Sequence, residues 1–189
     1  MTSALRSSLV TLAVAVSFTT AAVAQDSTPR PRRDPAEPSA AHERMAVFEG
    51  TWTLVPDSAA ERGTTTPAKH EETCTWLVGG RRHMVCRSWT EAGNGVRREA
   101  IQVMSYRGRD STYVSHLAFP GGATLTYHGR IEGARWAMNL EPNPSTPANL
   151  RIRTIITPEP DALHFVEEAS EDGGPWLVTE DYRHRRVNR

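Results

Sequence analysis

The chain lacks an excess of charge of either sign. Its 189 residues carry 22 Lys and Arg against 22 Asp and Glu, so the formal net charge is zero at pH 7. Proteins that bind nucleic acid through its phosphates need a dense basic face that releases counterions. Lys69 is the only lysine, and so strong an arginine bias indicates GC-rich coding rather than phosphate recognition. We therefore predict no nucleic-acid partner.

Motifs of nucleophilic, phosphate-binding and metal sites are also lacking. The sequence has no Gly-x-Ser-x-Gly elbow, Ser-x-x-Lys pair, phosphate loop or His-Glu-x-x-His motif, which are spacings that the corresponding chemistry requires. The two cysteines, Cys74 and Cys86, match neither a zinc nor a thioredoxin-like spacing. We therefore predict no metal, no cofactor and no catalytic residue, and we expect a non-enzymatic protein.

The first 24 residues have the pattern of a secretion signal. Arg6 supplies a basic start, residues 9–16 form a short apolar run, and Ala22-Val23-Ala24 is a small-x-small cleavage site. The run is shorter than the roughly 20 apolar residues that span a bilayer, and no Cys follows that would carry a lipid. We predict a periplasmic or secreted protein, cut after Ala24, with no stable membrane anchor. An uncleaved anchor is the alternative.

Two further regions follow the predicted signal. Residues 25–40 are rich in Pro and charge and poor in large apolar side chains, which is typical of a disordered tether. Residues 41–189 have the length of one domain. Ala41, Met45 and Phe48 predict a short amphipathic helix at its start.

The rest of the domain alternates short strand patterns with turn residues such as Gly-Gly and Asp-Gly-Gly. The predicted strands are 50–56, 69–78, 81–90, 97–106, 112–118, 123–130, 134–141, 149–157, 162–170 and 175–185. Short turns join antiparallel neighbours, and closure removes the exposed edges of a sheet. We predict an all-β fold, an antiparallel up-and-down barrel of about ten strands with a short N-terminal helix.

Four segments carry a family resemblance. They are FEGTWTL, CTWLVGGRRHMVC, HGRIEGARWAMNLE and EEASEDGGPWLVTEDYRHR. With them the chain resembles a bacterial calycin-like (lipocalin-like) barrel family of unknown function. The resemblance implies an antiparallel barrel with a central cavity and carries over no catalytic residue.

The opening Gly50-x-Trp52 has a structural role in lipocalin-like barrels. There the tryptophan commonly packs at the closed end beneath an arginine of the last strand. The resemblance indicates Arg183 as this arginine, with Arg185 as second choice. A guanidinium over an indole face gains about 0.5–2 kcal/mol, so we predict that this pair stabilises one end of the barrel.

Cys74 and Cys86 lie symmetrically about the Gly79-Gly80 turn. A hairpin centred there places them opposite each other, within disulfide reach. Export to an oxidising compartment favours the bond, so we predict a disulfide. A register shift of one residue would place the two thiols on opposite faces instead.

The predicted use of the barrel is to hold a small hydrophobic molecule. Alternation of side chains along the strands indicates an apolar wall formed by Leu125, Tyr127, Trp136, Met138, Ile152 and Phe165. A lumen filled by its own side chains is one alternative. The other is an isomerase or cyclase with His116, His128 or Glu167 as acid or base. His116 and His128 are also the candidates for a metal or haem ligand, against the interpretation that they are ordinary half-exposed histidines.

Overall fold

The computed structural model describes residues 37–55, 69–77, 80–92, 94–144 and 146–187. Residues 35–189 form one compact unit. The predicted signal peptide and the predicted tether up to residue 36 lie outside the described residues.

A short helix precedes ten strands. Helix α1 (Ala40–Glu43) continues into a 3-10 helix (Arg44–Phe48), as the apolar spacing predicts. The strands are β1 Gly50–Leu54, β2 Lys69–Trp76, β3 His83–Glu91, β4 Arg97–Arg107, β5 Thr112–Ala118, β6 Thr124–Glu132, β7 Arg135–Leu140, β8 Leu150–Pro158, β9 Ala162–Glu171 and β10 Leu177–Arg186. Each predicted strand is present, with ends that differ by a few residues at most.

The ten strands close into an antiparallel barrel in chain order. Strand β1 pairs with β2 on one side and with β10 on the other, so this short strand joins the two ends of the sheet. Closure satisfies the backbone groups that an open edge would expose. The predicted fold class is confirmed.

The helical segment fills one end of the barrel, which we call the floor. Met45, Phe48, Trp52 and Trp136 are almost completely buried there. The Phe48 and Trp136 rings meet edge to face with their centroids 4.9 Å apart. The indole nitrogen of Trp52 donates to the Phe48 carbonyl at 2.8 Å. Because these large side chains occupy the floor, any space in the barrel must lie above them.

The arginine over Trp52 is Arg186. Its guanidinium carbon lies 4.1 Å from the centroid of the indole ring, and Nη1 and Nη2 donate to the carbonyls of Glu49 and Val47. The prediction of Arg183, with Arg185 second, is therefore corrected. Trp52 is paired in register with Arg186.

The reason is the alternation of side chains along β10. Tyr182 and His184 line the lumen, and Arg186 follows on the same face because side chains alternate with a period of two. Arg183 lies on the other face of β10, where its Nε is 3.5 Å from Glu159 Oε1. Arg185 lies on that face as well and is exposed.

Gly50 makes room for this arginine. Its φ of +126° is one that residues with a side chain rarely adopt, and a Cβ added there would meet Arg186 Nη1 at 2.5 Å. The glycine of the Gly-x-Trp pattern therefore serves both the backbone conformation and the close approach of the guanidinium.

The predicted disulfide is confirmed. Cys74 and Cys86 face each other in the register of β2 and β3 and are bonded, and both are buried. Disulfides are typical of proteins in oxidising, extracellular-type compartments.

Candidate binding cavity in the lumen

A cavity of about 380 Å³ lies in the lumen above the floor. Side chains from all nine strands β2–β10 border it, because successive inward-facing residues of each strand reach the same central space. One part of the wall is apolar and includes Met104, Leu117, Leu125, Met138 and Ile156. Aromatic rings extend this wall: Phe165 and Tyr182 stack with their centroids 5.1 Å apart and their planes 9° from parallel.

Four of the six residues predicted for the apolar wall border the cavity: Leu125, Tyr127, Met138 and Phe165. Trp136 lies below it, in the floor, with its ring centroid 4.4 Å from that of Tyr113. Ile152 does not border the cavity; it lies one inward position beyond Thr154 on β8. The predicted facing therefore agrees with the cavity wall for four residues, whereas Trp136 and Ile152 lie at other depths along the barrel axis.

The two histidines of the enzyme and metal alternatives lie outside the lumen. His116 is exposed, and its Nδ1 lies 3.2 Å from Thr126 Oγ1 on the neighbouring strand. His128 Nε2 lies 3.4 Å from Glu141 Oε2. His116 points outward because Ser115 and Leu117 on the same strand line the lumen, and His128 points outward because Leu125 and Tyr127 on β6 do so. The hypothesis that either acts inside the barrel is wrong; Glu167, the third candidate, does border the cavity.

A polar cluster that the sequence predictions missed occupies one side of the cavity. It consists of His70 and Glu72 of β2 and His184 of β10. The two imidazole rings stack with centroids 4.6 Å apart and planes 23° from parallel. One side-chain ligand atom from each of the three residues lies within 4.8 Å of the other two. His70 and Glu72 share a strand face by their spacing, which was a usable signal.

The hydrogen bonds of the cluster are incomplete. His70 Nδ1 lies 2.9 Å from Thr90 Oγ1, so its other ring nitrogen is left for a partner in the lumen. His184 Nδ1 is buried and has no hydrogen-bond partner. Buried polar atoms are normally satisfied, and an exception calls for an explanation such as a bound ligand or ion.

Burial keeps the cluster poor in charge. It raises the pKa of Glu72 to about 7, because the carboxylate is poorly solvated there. It lowers the pKa of His184 to about 3, with a further contribution from His70, and it lowers the pKa of His70. Both imidazoles are therefore neutral at pH 7, which is the form that binds a hydrogen-bond donor or a metal ion.

A second carboxylate, Glu167, borders the cavity on β9, the strand that pairs with β10. Burial, and then the neighbouring Glu180, raises the pKa of Glu167. Burial, followed by Glu167 and Glu180, raises the pKa of Tyr127 to about 12, and burial also raises the pKa of Tyr182. The lumen thus disfavours added negative charge close to Glu167.

Changing Glu72 to Gln should stabilise the protein in a pH-dependent way when a chelator is present. The pKa of Glu72 in the folded protein lies above the unfolded value of 4.5. Ionisation of this carboxyl therefore lowers the free energy of unfolding as pH rises from about 4.5 to 7, and the loss stays constant above pH 7. Glu72→Gln removes the ionisable group and with it this loss. We expect similar free energies of unfolding for the two proteins at pH 4. At pH 8 the variant should be more stable, by on the order of 3 kcal/mol.

Denaturant titrations of both proteins at the two pH values measure this difference. Glu72 is not among the causes that lower the pKa values of His70 and His184, so their titration should contribute similarly in both proteins. Equal differences at pH 4 and pH 8 would contradict the burial of the Glu72 carboxyl.

The fold and the cavity together define the class of protein: a closed ten-stranded antiparallel barrel with a partly polar lumen. The chain belongs to the family described as protein of unknown function DUF1579, whose model matches residues 37–186. That match covers the helical segment and all ten strands. A search of curated proteins found no match. The kinship with calycins and lipocalins stays a prediction.

Among the described residues, no helix is both long enough and apolar enough to cross a membrane.

Proposed function

We propose that this protein is exported and binds a small, largely apolar molecule in the barrel lumen without changing it covalently. The cavity of about 380 Å³ carries the proposal. Sites for small molecules are concave, mainly apolar and about 300–1,000 Å³ in volume, with a few placed polar groups. The cavity has this size and this mixture, with the polar cluster on one side and the Phe165–Tyr182 stack beside it.

The size and wall of the cavity favour one kind of ligand. Its volume lies near the lower end of the range for small-molecule sites, so a compact molecule fits better than a long lipid chain. Stacked aromatic side chains offer flat apolar area to such a molecule. The unpartnered His184 Nδ1 and the Glu72 carboxyl supply polar contacts at one end. We infer a ligand with an apolar body and one polar group.

Export is supported by two independent features. Residues 1–24 have the pattern of a cleaved signal. The disulfide between Cys74 and Cys86 fits an oxidising compartment. Both features support a periplasmic or secreted location. The alternative of a lumen filled by its own side chains is disfavoured by the cavity volume.

Filling the cavity from Ala100 tests the proposal. Ala100 of β4 borders the cavity, whereas Ala118 of β5 is exposed on the outer face. Ala100→Trp should occupy the space and weaken binding of an uncharged apolar fluorescent probe such as Prodan at least tenfold, while Ala118→Trp should bind the probe as the parent protein does. Probe fluorescence titrations measure both affinities, and circular dichroism checks that each variant is folded. Equal probe affinities for the parent and a folded Ala100→Trp would refute binding in the lumen.

An enzyme that uses the same cavity is a second candidate, and one observation favours it. The Glu72 carboxyl borders the cavity with a pKa of about 7, which suits a general acid or base near neutral pH. Native mass spectrometry of protein purified from its own host distinguishes the candidates. If the bound molecule keeps its mass after incubation with the protein, the result supports binding without catalysis.

A further inference from the structure

We propose that His70, Glu72 and His184 bind a divalent transition-metal ion such as Zn²⁺ at the polar side of the lumen cavity. The proposal replaces the expectation from sequence spacing that the barrel holds no metal. It concerns the same cavity as the proposed function, but it does not require an organic ligand.

The donor set is the first argument. Two imidazoles and one carboxylate are ligands that Zn²⁺ and other late divalent metals prefer. One donor atom from each side chain lies within 4.8 Å of the other two. In a tetrahedral zinc site with bonds of about 2.0–2.1 Å the donors stand about 3.4 Å apart. Metal binding therefore requires rotations of the three side chains that bring the donor atoms closer together.

The surroundings of the donors are the second argument. Histidine ligands of metals usually hold their other ring nitrogen in a hydrogen bond, which fixes the ring. His70 does this through Nδ1 and Thr90 Oγ1, 2.9 Å apart. The buried Nδ1 of His184 lacks a hydrogen-bond partner, and a metal ion is a partner that would satisfy it.

Charge is the third argument. The Glu72 carboxyl borders the lumen, and the described side chains that line the cavity include no Lys or Arg. A buried charge is stable when a counterion or a metal lies beside it. A divalent cation among Glu72 and two neutral imidazoles supplies that countercharge.

The three side chains leave coordination positions open toward the cavity. A site with three protein ligands keeps a position for water or for a donor atom of a bound molecule. The adjoining wall is apolar and aromatic, with Phe165 and Tyr182 next to His184. The chemical class of ligand that fits both is an apolar molecule with one metal-binding head group, such as a carboxylate. A second possible metal group, of Glu72 with Cys74 and Cys86, is ruled out because the two cysteines are bonded to each other.

Isothermal titration of tag-free, chelator-stripped protein with ZnCl₂ alone tests the proposal. We expect one saturable site per chain. Glu72→Gln keeps the shape of the side chain and should weaken that site at least tenfold, and His184→Gln should do the same. His116→Ala and His128→Ala, which change histidines outside the lumen, should leave it unchanged. Zn²⁺ should also raise the Tm of the parent protein but not that of Glu72→Gln.

Two results would overturn the proposal. One is a parent protein without a saturable zinc site. The other is a site that persists in folded Glu72→Gln and is lost in an outer-face histidine variant. Circular dichroism in the presence of EDTA establishes that each variant is folded. Because no organic probe is present, failure of this titration leaves the Ala100→Trp test of ligand binding independent.

Discussion

Changing Arg186 to Ala should lower the free energy of unfolding by about 2–4 kcal/mol. The substitution removes the guanidinium from the Trp52 ring, an interaction of about 0.5–2 kcal/mol. It also removes the donors to the carbonyls of Val47 and Glu49, at about 1 kcal/mol or more for each bond to a charged donor. The indole of Trp52, now almost completely buried, would be uncovered. In a domain of this size the Tm should fall by several degrees.

Arg185→Ala is the matched control, because it removes the same type of residue one position earlier on β10. Arg185 is exposed, and a surface substitution of this kind is usually within about 0.5 kcal/mol of neutral. Thermal and denaturant unfolding of the two variants give the comparison. Equal losses of stability in both would contradict the role of Arg186 in the floor.

Removing the disulfide should cost about 3 kcal/mol of stability. The bond joins residues 12 apart, and closing a loop of that length in the unfolded chain is worth roughly this amount on the chain-entropy account. The double variant Cys74→Ala/Cys86→Ala removes the bond and leaves no free thiol. Because both sulfurs are buried beside the floor, the lost packing adds to the effect.

Reductant supplies the control for this prediction. A reducing agent should lower the stability of the parent protein toward that of the double variant and should leave the double variant unchanged. Thiol titration of the unreduced parent in denaturant should find no reactive thiol. Two reactive thiols there, or a double variant as stable as the oxidised parent, would contradict a stabilising bond.

Strand β10 contributes side chains to both the floor and the cavity. His184 of the polar cluster lies two residues before Arg186 on the same strand face, and both pair across to β1. Glu72 pairs with Trp52 on the other side of β1. The contacts that hold Trp52 therefore also hold the register of the two strands that carry the cluster. A loosened floor is expected to disturb the cluster as well.

Local sequence patterns determined the secondary structure. Period-two alternation and glycine-rich turns are properties of short segments, so ten strands and the opening helix could be located without knowledge of the fold. Short turns then required antiparallel neighbours, and closure followed from the number of strands. The disulfide could also be predicted, because Cys74 and Cys86 lie in one hairpin whose turn sets their register.

Tertiary structure alone decided which side chains meet. The arginine over Trp52 depended on the pairing of β1 with β10, residues far apart in the chain, and a shift of one residue exchanges the two faces of a strand. The same rule turned His116 and His128 outward, and depth along the barrel axis placed Trp136 in the floor rather than beside the cavity. The cluster of His70, Glu72 and His184 exists because β2 and β10 both flank the short strand β1. No local sequence pattern predicts that β2 and β10 lie close together, because their proximity arises only when the first and last strands of the sheet pair.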